Sequence, residues 1–485
     1  MSADHVERIR RLLRATIARA DPDEIDALQA LDALFDEPAR IAIAGMVNAG
    51  KSTLLNALVG ERVAPTDAGE CTRIPTWYRK GRHYEVRAID NDGGSDGALG
   101  FERRDELVVD LASRDPGTVD HLLVTCPTTR LTNHTLIDLP GHSSLSPDVA
   151  RRAEDFLTAD DAVPVDGVIY LLRHRHPADL EFLESFHSRA AGRGALGAVG
   201  VLSRADELFG GGLDAMDDAH IVADTLRVDR RIRGLCQDVV PVAGLLAESA
   251  AGLRNDEVVS LRTVASAPQE LLETALTSVD RFRQIGCGDS TGEERATLLD
   301  RFGLFGVRAG VAALRRDPGR TADALSSDLL QLSGIGGLRV ALDTVILQRV
   351  LDLRSRAVLT QLARSAALRS DESSYAELER IEANAHGLRE LEIAEVLRRG
   401  SVPGIAADDD ADLQRLLGVS GVSAHDRLGA PATAGRDMLR SIATAQHRRW
   451  MTLSESPLAP PLAVRITATA SRTCEEMLAS ELAGD

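Results

Sequence analysis

The chain has 485 residues, a formal net charge of −18 at neutral pH and a pI near 5.2. This length exceeds what one hydrophobic core usually supports, so we expect at least two folding units. Hydrophobic residues make up 44% and charged residues 27%, which is typical of globular proteins, and no apolar run approaches the ~20 residues of a membrane span. The acidic balance disfavours nucleic acid as a partner, and the charged first residues predict a cytoplasmic protein.

The five cysteines lie at positions 71, 126, 236, 287 and 474. Their number is odd, and no two of them form a Cys-x-x-Cys pair. This pattern argues against a disulfide framework and against a zinc site. We therefore expect reduced thiols, most of them buried.

The first 35 residues predict two helices. From 3 to 20, apolar residues recur with the period of an amphipathic helix. A second helix is expected to begin at Pro22, with Asp21 as its cap and Glu24 completing a capping-box spacing. Both helices need a packing partner elsewhere in the chain.

Short apolar runs separated by Gly-rich turns and helical stretches follow from residue 40. Such alternation predicts a mostly parallel sheet with helices on both faces. The segment 90–100 is expected to be a surface loop or the turn between two extra strands. The runs cover 40–44, 135–138, 167–172, 198–202 and 239–242.

Long helical patterns replace the strands beyond about residue 254. One pattern runs over 336–368, and a helix of that length would span about 50 Å. We expect it to pair with a second helix over 374–399 as an antiparallel stalk. Helices over 433–452 and 461–482 are expected to join the N-terminal helices in one bundle.

These patterns together predict an α/β domain, built on a mostly parallel sheet with helices on both faces, and an elongated all-α part. The predicted division is 1–35 for the N-terminal helices, 36–315 for the α/β domain and 316–485 for the helical part.

A phosphate-binding motif of the form G-x-x-x-x-G-K-S lies at 45–52, directly after an apolar strand and before a helical stretch. Backbone N–H groups of such a loop surround phosphates, the lysine reaches the β- and γ-phosphates, and the serine hydroxyl faces Mg²⁺. Lys51 and Lys80 are the only lysines of an arginine-rich chain, which indicates that position 51 needs an ammonium. The predicted nucleotide-binding residues here are Gly45, Asn48, Ala49, Gly50, Lys51, Ser52 and Thr53.

An acid and a glycine follow the next predicted strand, at Asp138 and Gly141 in Asp-Leu-Pro-Gly. Asp138 is expected to hold Mg²⁺ through a water, and the Gly141 N–H to face the γ-phosphate. Thr72 is the candidate for the switch hydroxyl that completes the magnesium shell, with Thr66 as its rival. The predicted metal-binding residues are thus Ser52, Thr72 and Asp138.

Base selection is expected after the run 198–202, where the chain reads Ser203-Arg204-Ala-Asp206. A carboxylate there accepts both N–H groups of a guanine edge, whereas adenine would leave it unpaired. Ser203 supplies a short polar group, and the stem of Arg204 is expected to cover the base. The alternative is that Asp206 is a helix cap. The Ala243 backbone N–H is a further candidate, for the guanine oxygen.

The ordered motifs, Thr72-Arg-Ile-Pro75 after an extended switch and the helices on both sides of the GTPase domain resemble the dynamin superfamily. The similarity is to bacterial dynamin-like proteins, among them the isoniazid-inducible IniC proteins of mycobacteria and related actinobacteria. The stretches that carry it are Ala49–Thr53, Leu58–Gly60, Ala64–Thr66, Ser203–Asp206, Arg301–Gly306 and Ser420–Ser423.

This resemblance implies an α/β P-loop GTPase domain over 36–315 with an elongated all-α neck and stalk. Such a GTPase binds GTP and GDP and couples dimerisation to stalk motion, usually at a membrane. It implies a homodimer through the GTPase domain, or pairing with a related dynamin-like protein. It also implies a peripheral location at the inner face of the plasma membrane and a place in membrane remodelling or in the envelope stress response.

The phosphate loop departs from many dynamin-like GTPases, which carry glutamine and serine where this chain has Val47 and Asn48. Valine cannot polarise water. Asn48 matches the asparagine with which related GTPases hold K⁺, so it is either a K⁺ ligand or a structural loop residue. The candidate catalytic residues are Lys51, Ser52, Thr72 and Asn48.

A set of arginines near the expected end of the stalk is either a patch for anionic lipid or a solvated helix face. Its members are Arg349, Arg354, Arg356, Arg364 and Arg369.

Three functions stay open from the sequence. The first is a mechanical dynamin-like GTPase, and the second is a GTPase switch whose helices dock an effector. The third is a hydrolysis-impaired scaffold that pairs with another dynamin-like protein and does not act on membranes itself.

Overall fold

The structure is a computed structural model of the chain. It describes residues 3–64, 74–90, 94, 98–103, 107–109, 118–140, 165–173, 180–181, 183–184, 197–480 and 482.

An eight-stranded sheet lies in the first half of the chain, with the strand order β10-β9-β8-β1-β7-β2-β6-β3, and a small hairpin of β4 and β5 accompanies it. Five neighbouring strands, from β10 to β7, are parallel, whereas β2 and β6 run in the opposite direction. The strands are β1 (Ala39–Gly45), β2 (Thr76–Lys80), β3 (Glu85–Asp90), β4 (Phe101–Arg103), β5 (Leu107–Val109), β6 (Val119–Cys126), β7 (His134–Asp138), β8 (Gly167–Leu172), β9 (Ala198–Ser203) and β10 (Asp238–Val242).

The parallel core of the sheet confirms all five predicted strands to within one residue at each end. These strands are almost wholly buried, and for this reason they stand out as continuous apolar runs. Strands β2, β3 and β6 alternate between buried and exposed residues and were not predicted individually. Segment 90–100 connects the end of β3 to the start of β4. This agrees with the second alternative, a connection between two extra strands.

Helices cover both faces of the sheet and make up most of the chain after β10. Within the described ranges they are α1 (Ala3–Ile17), α2 (Pro22–Ala33), α3 (Lys51–Val59), α4 (Ala215–Val228), α5 (Arg230–Arg233), α6 (Gly244–Ala251), α7 (Asn255–Ala265), α8 (Gln269–Ala275), α9 (Val279–Gln284), α10 (Gly292–Arg316), α11 (Ala322–Leu332), α12 (Ile335–Val345), α13 (Val350–Leu362), α14 (Ala366–Arg369), α15 (Glu372–Asn384), α16 (His386–Arg399), α17 (Ala407–Leu416), α18 (Ala424–Leu428), α19 (Arg436–Ser454) and α20 (Pro461–Ala479).

The prediction of one continuous helix over 336–368 is wrong. Helix α12 ends at Val345, a short 3-10 turn follows at 347–349, and α13 begins at Val350. The reason is packing: Leu338 and Leu342 of α12 lie in the same buried cluster as Ile41 and Ile43 of the central strand β1. The apolar stripe of 336–346 therefore covers the sheet, and the chain must turn to leave it.

The three-part division of the chain stays a prediction. Its boundary at 315/316 does not coincide with an edge of a hydrophobic core, because Leu325 and Leu329 of α11 also pack in a cluster with the sheet. Helices α16 to α20 form a separate core around Trp450, which is fully buried. Helices α19 and α20 pack along each other within this core.

The N-terminal helices find their partners late in the chain. Ile9, Leu13 and Leu31 share a buried cluster with Leu359 and Ile381 of α13 and α15. The predicted capping box of α2 is wrong in its detail, since the Asp21 side chain makes no cap hydrogen bond.

Glu24, the acid expected to complete that capping box, serves another helix. Its carboxylate instead accepts the N–H groups of Ala366 and Ala367, at 2.9 and 3.3 Å, and so caps α14.

The set of arginines for which a lipid patch and a solvated helix face were the alternatives does not form a patch. Arg349 is 3% exposed and donates to the Leu417 carbonyl oxygen at 3.0 Å, and Arg354 is 2% exposed. Arg356 lies 3.6 Å from the carboxylate of Glu395, and burial lowers the pKa of this guanidinium. Of the five arginines, only Arg364 and Arg369 are exposed. The lipid-patch alternative is therefore wrong for the set as a whole.

Arg354 joins the helical part to the base of the sheet. Its Nε and Nη2 donate to the two carboxylate oxygens of Asp166, at 2.7 and 2.6 Å, and both side chains are 2% exposed. Its Nη1 also donates to the carbonyl oxygen of Glu37 at 2.8 Å. Asp166 accepts the Arg40 N–H at 2.7 Å as well, so one buried pair holds α13, β1 and the start of β8 together.

The cysteines within the described ranges, at 126, 236, 287 and 474, are free and buried, as expected. Burial raises the pKa of Cys236 and of Cys474 to about 12. Cys71 lies outside the described residues.

Over the residues that the structure describes, no single helix is long and apolar enough for a membrane span, although the pair Ala322–Leu332 and Ile335–Leu362, bent by 60°, meets the length and composition test jointly.

Candidate nucleotide site

The phosphate loop connects β1 to α3 and requires unusual backbone angles. Gly45, Asn48 and Gly50 have positive φ values of 155°, 60° and 92°. At Gly45 a side chain would also be blocked, because a Cβ atom there would lie 3.0 Å from the Cβ of Leu171. The loop thus leaves its N–H groups at the carboxyl edge of the sheet, beside the start of a helix, where anions bind.

Lys51 folds back over this loop. Its Nζ lies 3.3 Å from the carbonyl oxygen of Gly45 and 3.2 Å from that of Met46. Burial lowers the pKa of the ammonium, and the charge of Asp138 partly opposes this. An ammonium held by carbonyl oxygens alone is ready to exchange them for phosphate oxygens.

Asp138 ends β7 next to the phosphate loop, because β7 pairs with β1 in parallel and Asp138 is in register with Ile43. The Ser52 hydroxyl donates to its Oδ2 at 3.3 Å, whereas Oδ1 is buried without a hydrogen-bond partner among the described residues. Burial raises the pKa of Asp138 to about 6, against the opposing effects of Lys51 and Ser52.

A hydroxyl beside a buried carboxylate oxygen without a partner fits the oxygen-only chemistry of Mg²⁺. Ser52 and Asp138, two of the three predicted metal-binding residues, are therefore together. Thr72, its rival Thr66 and Gly141 lie outside the described residues.

A cavity of about 610 Å³ opens beside the phosphate loop. Ala49, Gly50 and Thr53 line one side of it, and Ser203, Arg204 and Asp206 line another. The remaining wall is largely apolar, with leucine, valine and phenylalanine side chains. The predicted phosphate and base motifs thus meet in one pocket, with the shape expected for a ligand that has a flat apolar part.

Asp206 is the less exposed of the two acids that line this pocket, the other being Glu207. Burial raises its pKa to about 6; a hydrogen bond of its own backbone and the Arg204 charge lower it, while Glu207 raises it further. Ser203 donates to the Leu172 carbonyl oxygen at 3.3 Å and is buried. Arg204 has a φ of 52° and donates to the Asn48 carbonyl oxygen at 3.2 Å, which ties the base motif to the phosphate loop.

The expectation for Ala243 is corrected. Its backbone N–H already donates to the Ser333 carbonyl oxygen at 2.9 Å, so it is not free for a base. Gly244, the next residue, lines the cavity instead. The sequence offered no signal for this, since Ser333 lies 90 positions further along the chain.

A wall of the cavity that was not predicted comes from α10. Gly303, Leu304, Phe305 and Arg308 all line it. The stretch 301–306 supported the family resemblance, but no role had been assigned to it. The helical pattern of α10 gives no sign that the helix passes beside a pocket.

Asn56 is a buried polar residue near the site that the sequence motifs did not indicate. Its Oδ1 accepts the N–H groups of Val63 and Ala64 at 2.9 and 2.8 Å, and its Nδ2 donates to Glu248 at 3.1 Å. Arg62 pairs with the same Glu248 oxygen at 2.8 Å. This network fixes the chain where it leaves α3 towards Thr66 and Thr72.

A glycine-rich phosphate loop with its lysine and serine, a β7 aspartate beside them and a buried acid at the end of β9 define the class of P-loop GTPases. Residues 41–180 match the Dynamin family. Over 488 aligned positions, 98% of each chain, the sequence is 38% identical to the isoniazid-induced protein IniC of Mycobacterium tuberculosis (strain CDC 1551 / Oshkosh).

The chain therefore belongs to the dynamin family of GTPases, together with the IniC proteins. A bacterial dynamin-like protein of Nostoc punctiforme is 41% identical over 63 residues, 13% of this chain and 9% of that one. Among solved structures, a chain of an oligomerised bacterial dynamin pair has a TM-score of 0.33 and 13% identity over 97% of this chain and 90% of its own.

Proposed function

We propose that this GTPase hydrolyses GTP with Mg²⁺ and couples dimerisation through its GTPase domain to movement of its helices, in membrane remodelling or in the envelope stress response. The observation that carries the first part is that one cavity is lined both by Gly50 of the phosphate loop and by Asp206. Next to Gly50, Lys51 folds back over the loop, and Ser52 donates to Asp138. Family membership supports the second part.

In this proposal each residue of the site has one task. N–H groups of 45–53 surround the phosphates, and Lys51 exchanges its carbonyl contacts for phosphate oxygens. Ser52 and Asp138, with Thr72, would hold Mg²⁺, which neutralises phosphate charge when bound. Gly141 would face the γ-phosphate. Asp206 would accept the guanine N–H groups, with Ser203 beside it and the stem of Arg204 over the base.

The candidate ligand for K⁺ is Asn48. Its side chain is exposed at the phosphate loop, and the loop geometry keeps it there because its backbone φ is 60°. The Arg204 guanidinium lies against its backbone carbonyl oxygen, which places one fixed cation near the loop already. Stimulation by K⁺ but not by Na⁺ would assign the amide of Asn48 as a ligand.

The test is phosphate release from GTP and from ATP with Mg²⁺, in K⁺ and in Na⁺, for the wild type and Lys51→Ala. We expect turnover of GTP but not of ATP, and a loss of about 100-fold or more in the variant, because transition-state charge loses its ammonium. Lys80→Ala is the matched control, since Lys80 lies on β2 and donates to Thr132 at 3.1 Å. Preference for ATP would refute the role of Asp206.

A second candidate function is a scaffold that binds GTP, hydrolyses it poorly and pairs with another dynamin-like protein. Val47 favours it, since valine has no group to orient water. Tight GTP binding without phosphate release, even at protein concentrations that give dimers, would support the scaffold. Light scattering with GDP and with a non-hydrolysable GTP analogue reports the dimer in the same samples.

A further inference from the structure

Helix α10 reaches the nucleotide cavity because it is bent there. At Gly303 the backbone leaves helical geometry, with φ 63° and ψ 174°. The residues after this bend are directed at the cavity, whose wall includes Leu304, Phe305 and Arg308. Arg308, five positions after Gly303, contacts the base-recognition loop, the segment 205–211, at Gly210 and Gly211.

Arg308 is bound to backbone carbonyl oxygens on two separate segments. Its Nε and Nη2 donate to Leu276, at 2.9 and 2.6 Å, and Nη2 also donates to Thr277 at 3.2 Å. Its Nη1 donates to Gly210 at 3.3 Å and to Gly211. Burial lowers the pKa of this guanidinium. Binding carbonyl oxygens of two segments at once requires several N–H donors in a fixed plane, which a guanidinium provides.

The segment that Arg308 holds also carries Asp206. Gly211 has a φ of 66°, and a Cβ atom there would lie 2.8 Å from the Asp206 carbonyl oxygen. The Gly211 N–H donates to the Leu208 carbonyl oxygen at 2.9 Å. The backbone of Gly211 therefore lies close to that of Asp206, with no room between them for a side chain.

The outer half of this loop contains a strained residue. Phe209 has a φ of 49°, which is unfavourable for a residue with a side chain, and it is 72% exposed. Arg308 connects residues 210 and 211 of the loop to α10 through their carbonyl oxygens.

We propose that Arg308 is a positioning residue for guanine selection: it holds the base-recognition loop so that the Asp206 carboxylate meets the guanine edge. This inference rests on the proposed role of Asp206. It makes α10, a helix far along the chain from both nucleotide motifs, part of the specificity machinery without contact to the phosphates.

The experiment compares binding of GDP and IDP by isothermal titration calorimetry. Inosine lacks the 2-amino group of guanine, so the ratio of the two affinities reports how well Asp206 is placed. The variants are Arg308→Ala, Arg308→Lys and Arg315→Ala. Arg315 is the matched control, because it lies seven residues further along α10 and donates to the carbonyl oxygens of Ala265 and Ala267, at 2.9 and 2.8 Å.

We expect the wild type to prefer GDP by about tenfold or more, since the lost contact is a hydrogen bond to a charged group. Arg308→Ala should bring the ratio close to one, and Arg308→Lys should give an intermediate ratio, because an ammonium cannot reach both segments. Arg315→Ala should keep the wild-type ratio even if it lowers the melting temperature.

Each other outcome is decisive. Equal binding of GDP and IDP by the wild type overturns the role of Asp206 and this proposal with it. A wild-type ratio in Arg308→Ala, or in Arg308→Lys if the alanine variant does not fold, overturns only the role of Arg308. Equal losses of GDP and IDP affinity with an unchanged ratio would make Arg308 merely structural.

Discussion

Asp206 is a carboxyl group in a wall that is otherwise largely apolar. Its neighbours in the sequence made it a candidate, but its burial is a tertiary property. Leu245, Leu304 and Phe305, which come from elements far from residue 206, line the same cavity. Desolvation disfavours the charged form, which is why the pKa rises.

This pKa predicts how nucleotide affinity depends on pH. Because burial raises the pKa of Asp206 to about 6, the carboxyl is protonated below that value and cannot accept both guanine N–H groups. Affinity for GDP should therefore be complete above about pH 7 and fall by about tenfold near pH 5, one unit below the pKa. Titration calorimetry across this range is the measurement.

Asp206→Asn is the control for that pH dependence. It should bind GDP more weakly at pH 7.5 and should lack the step assigned to the carboxyl. If the wild type and the variant lose affinity in parallel between pH 7 and pH 5, then another group causes the effect.

The position of Lys51 in the site follows from the sequence alone. The motif predicted its place, because the spacing of a phosphate loop is local and the loop closes within eight residues. Its contact with phosphate stays a prediction. Ala243 illustrates the limit, since the acceptor of its N–H, Ser333, belongs to a distant turn.

The elements of the sheet were predictable for a physical reason. A strand buried on both faces must be apolar throughout, and such runs are visible in a sequence. Helix α12 was equally visible as apolar periodicity, yet its periodicity is the same whether it packs on a sheet or on another helix. Only the position of the sheet decides that the chain turns after Val345.

The contact between α13 and the base of the sheet gives a prediction about stability. Arg354→Ala leaves the Asp166 carboxylate 2% exposed without its counter-ion, so the free energy of unfolding should fall by about 3–5 kcal/mol. Urea unfolding followed by circular dichroism measures this. Arg369→Ala, an exposed arginine on the next helix, should change it by about 0.5 kcal/mol or less.

A double substitution should restore most of the stability that the Arg354–Asp166 pair provides. Arg354→Met with Asp166→Asn removes both charges and keeps the oxygen that accepts the Arg40 N–H, so most of the lost stability should return. A single variant as stable as the wild type would show that the ion pair does not hold α13 to the sheet.

At the scale of the whole molecule, Arg349 and Arg354 are buried and cannot contact a membrane, so such a contact would need another surface. Helices α19 and α20 meet in the turn 455–460, where Leu458 is 93% exposed. Met451, Leu453 and Leu462 nearby are 40%, 36% and 37% exposed. If the proposed membrane contact is made, we expect it at this exposed turn.

Leu458→Asp should lower the fraction of protein bound to vesicles by about tenfold, because inserting a leucine contributes about 1.5–3 kcal/mol and a carboxylate opposes insertion. Sedimentation with anionic and with neutral vesicles measures this and tests the preference for anionic lipid. Val259→Asp is the control, since Val259 is 59% exposed on α7. Equal loss in both variants, or no binding by the wild type, would contradict the prediction.

The sequence by itself determined the phosphate loop, the five parallel strands and the family, because these depend on local spacing and on burial patterns along one segment. Tertiary structure alone decided that α12 covers the sheet, that Arg349 and Arg354 are buried and that α10 with Arg308 forms a wall of the nucleotide cavity. Each of these joins segments far apart in the chain, and a side chain's own sequence neighbours do not determine which distant carbonyl oxygen or carboxylate it will meet.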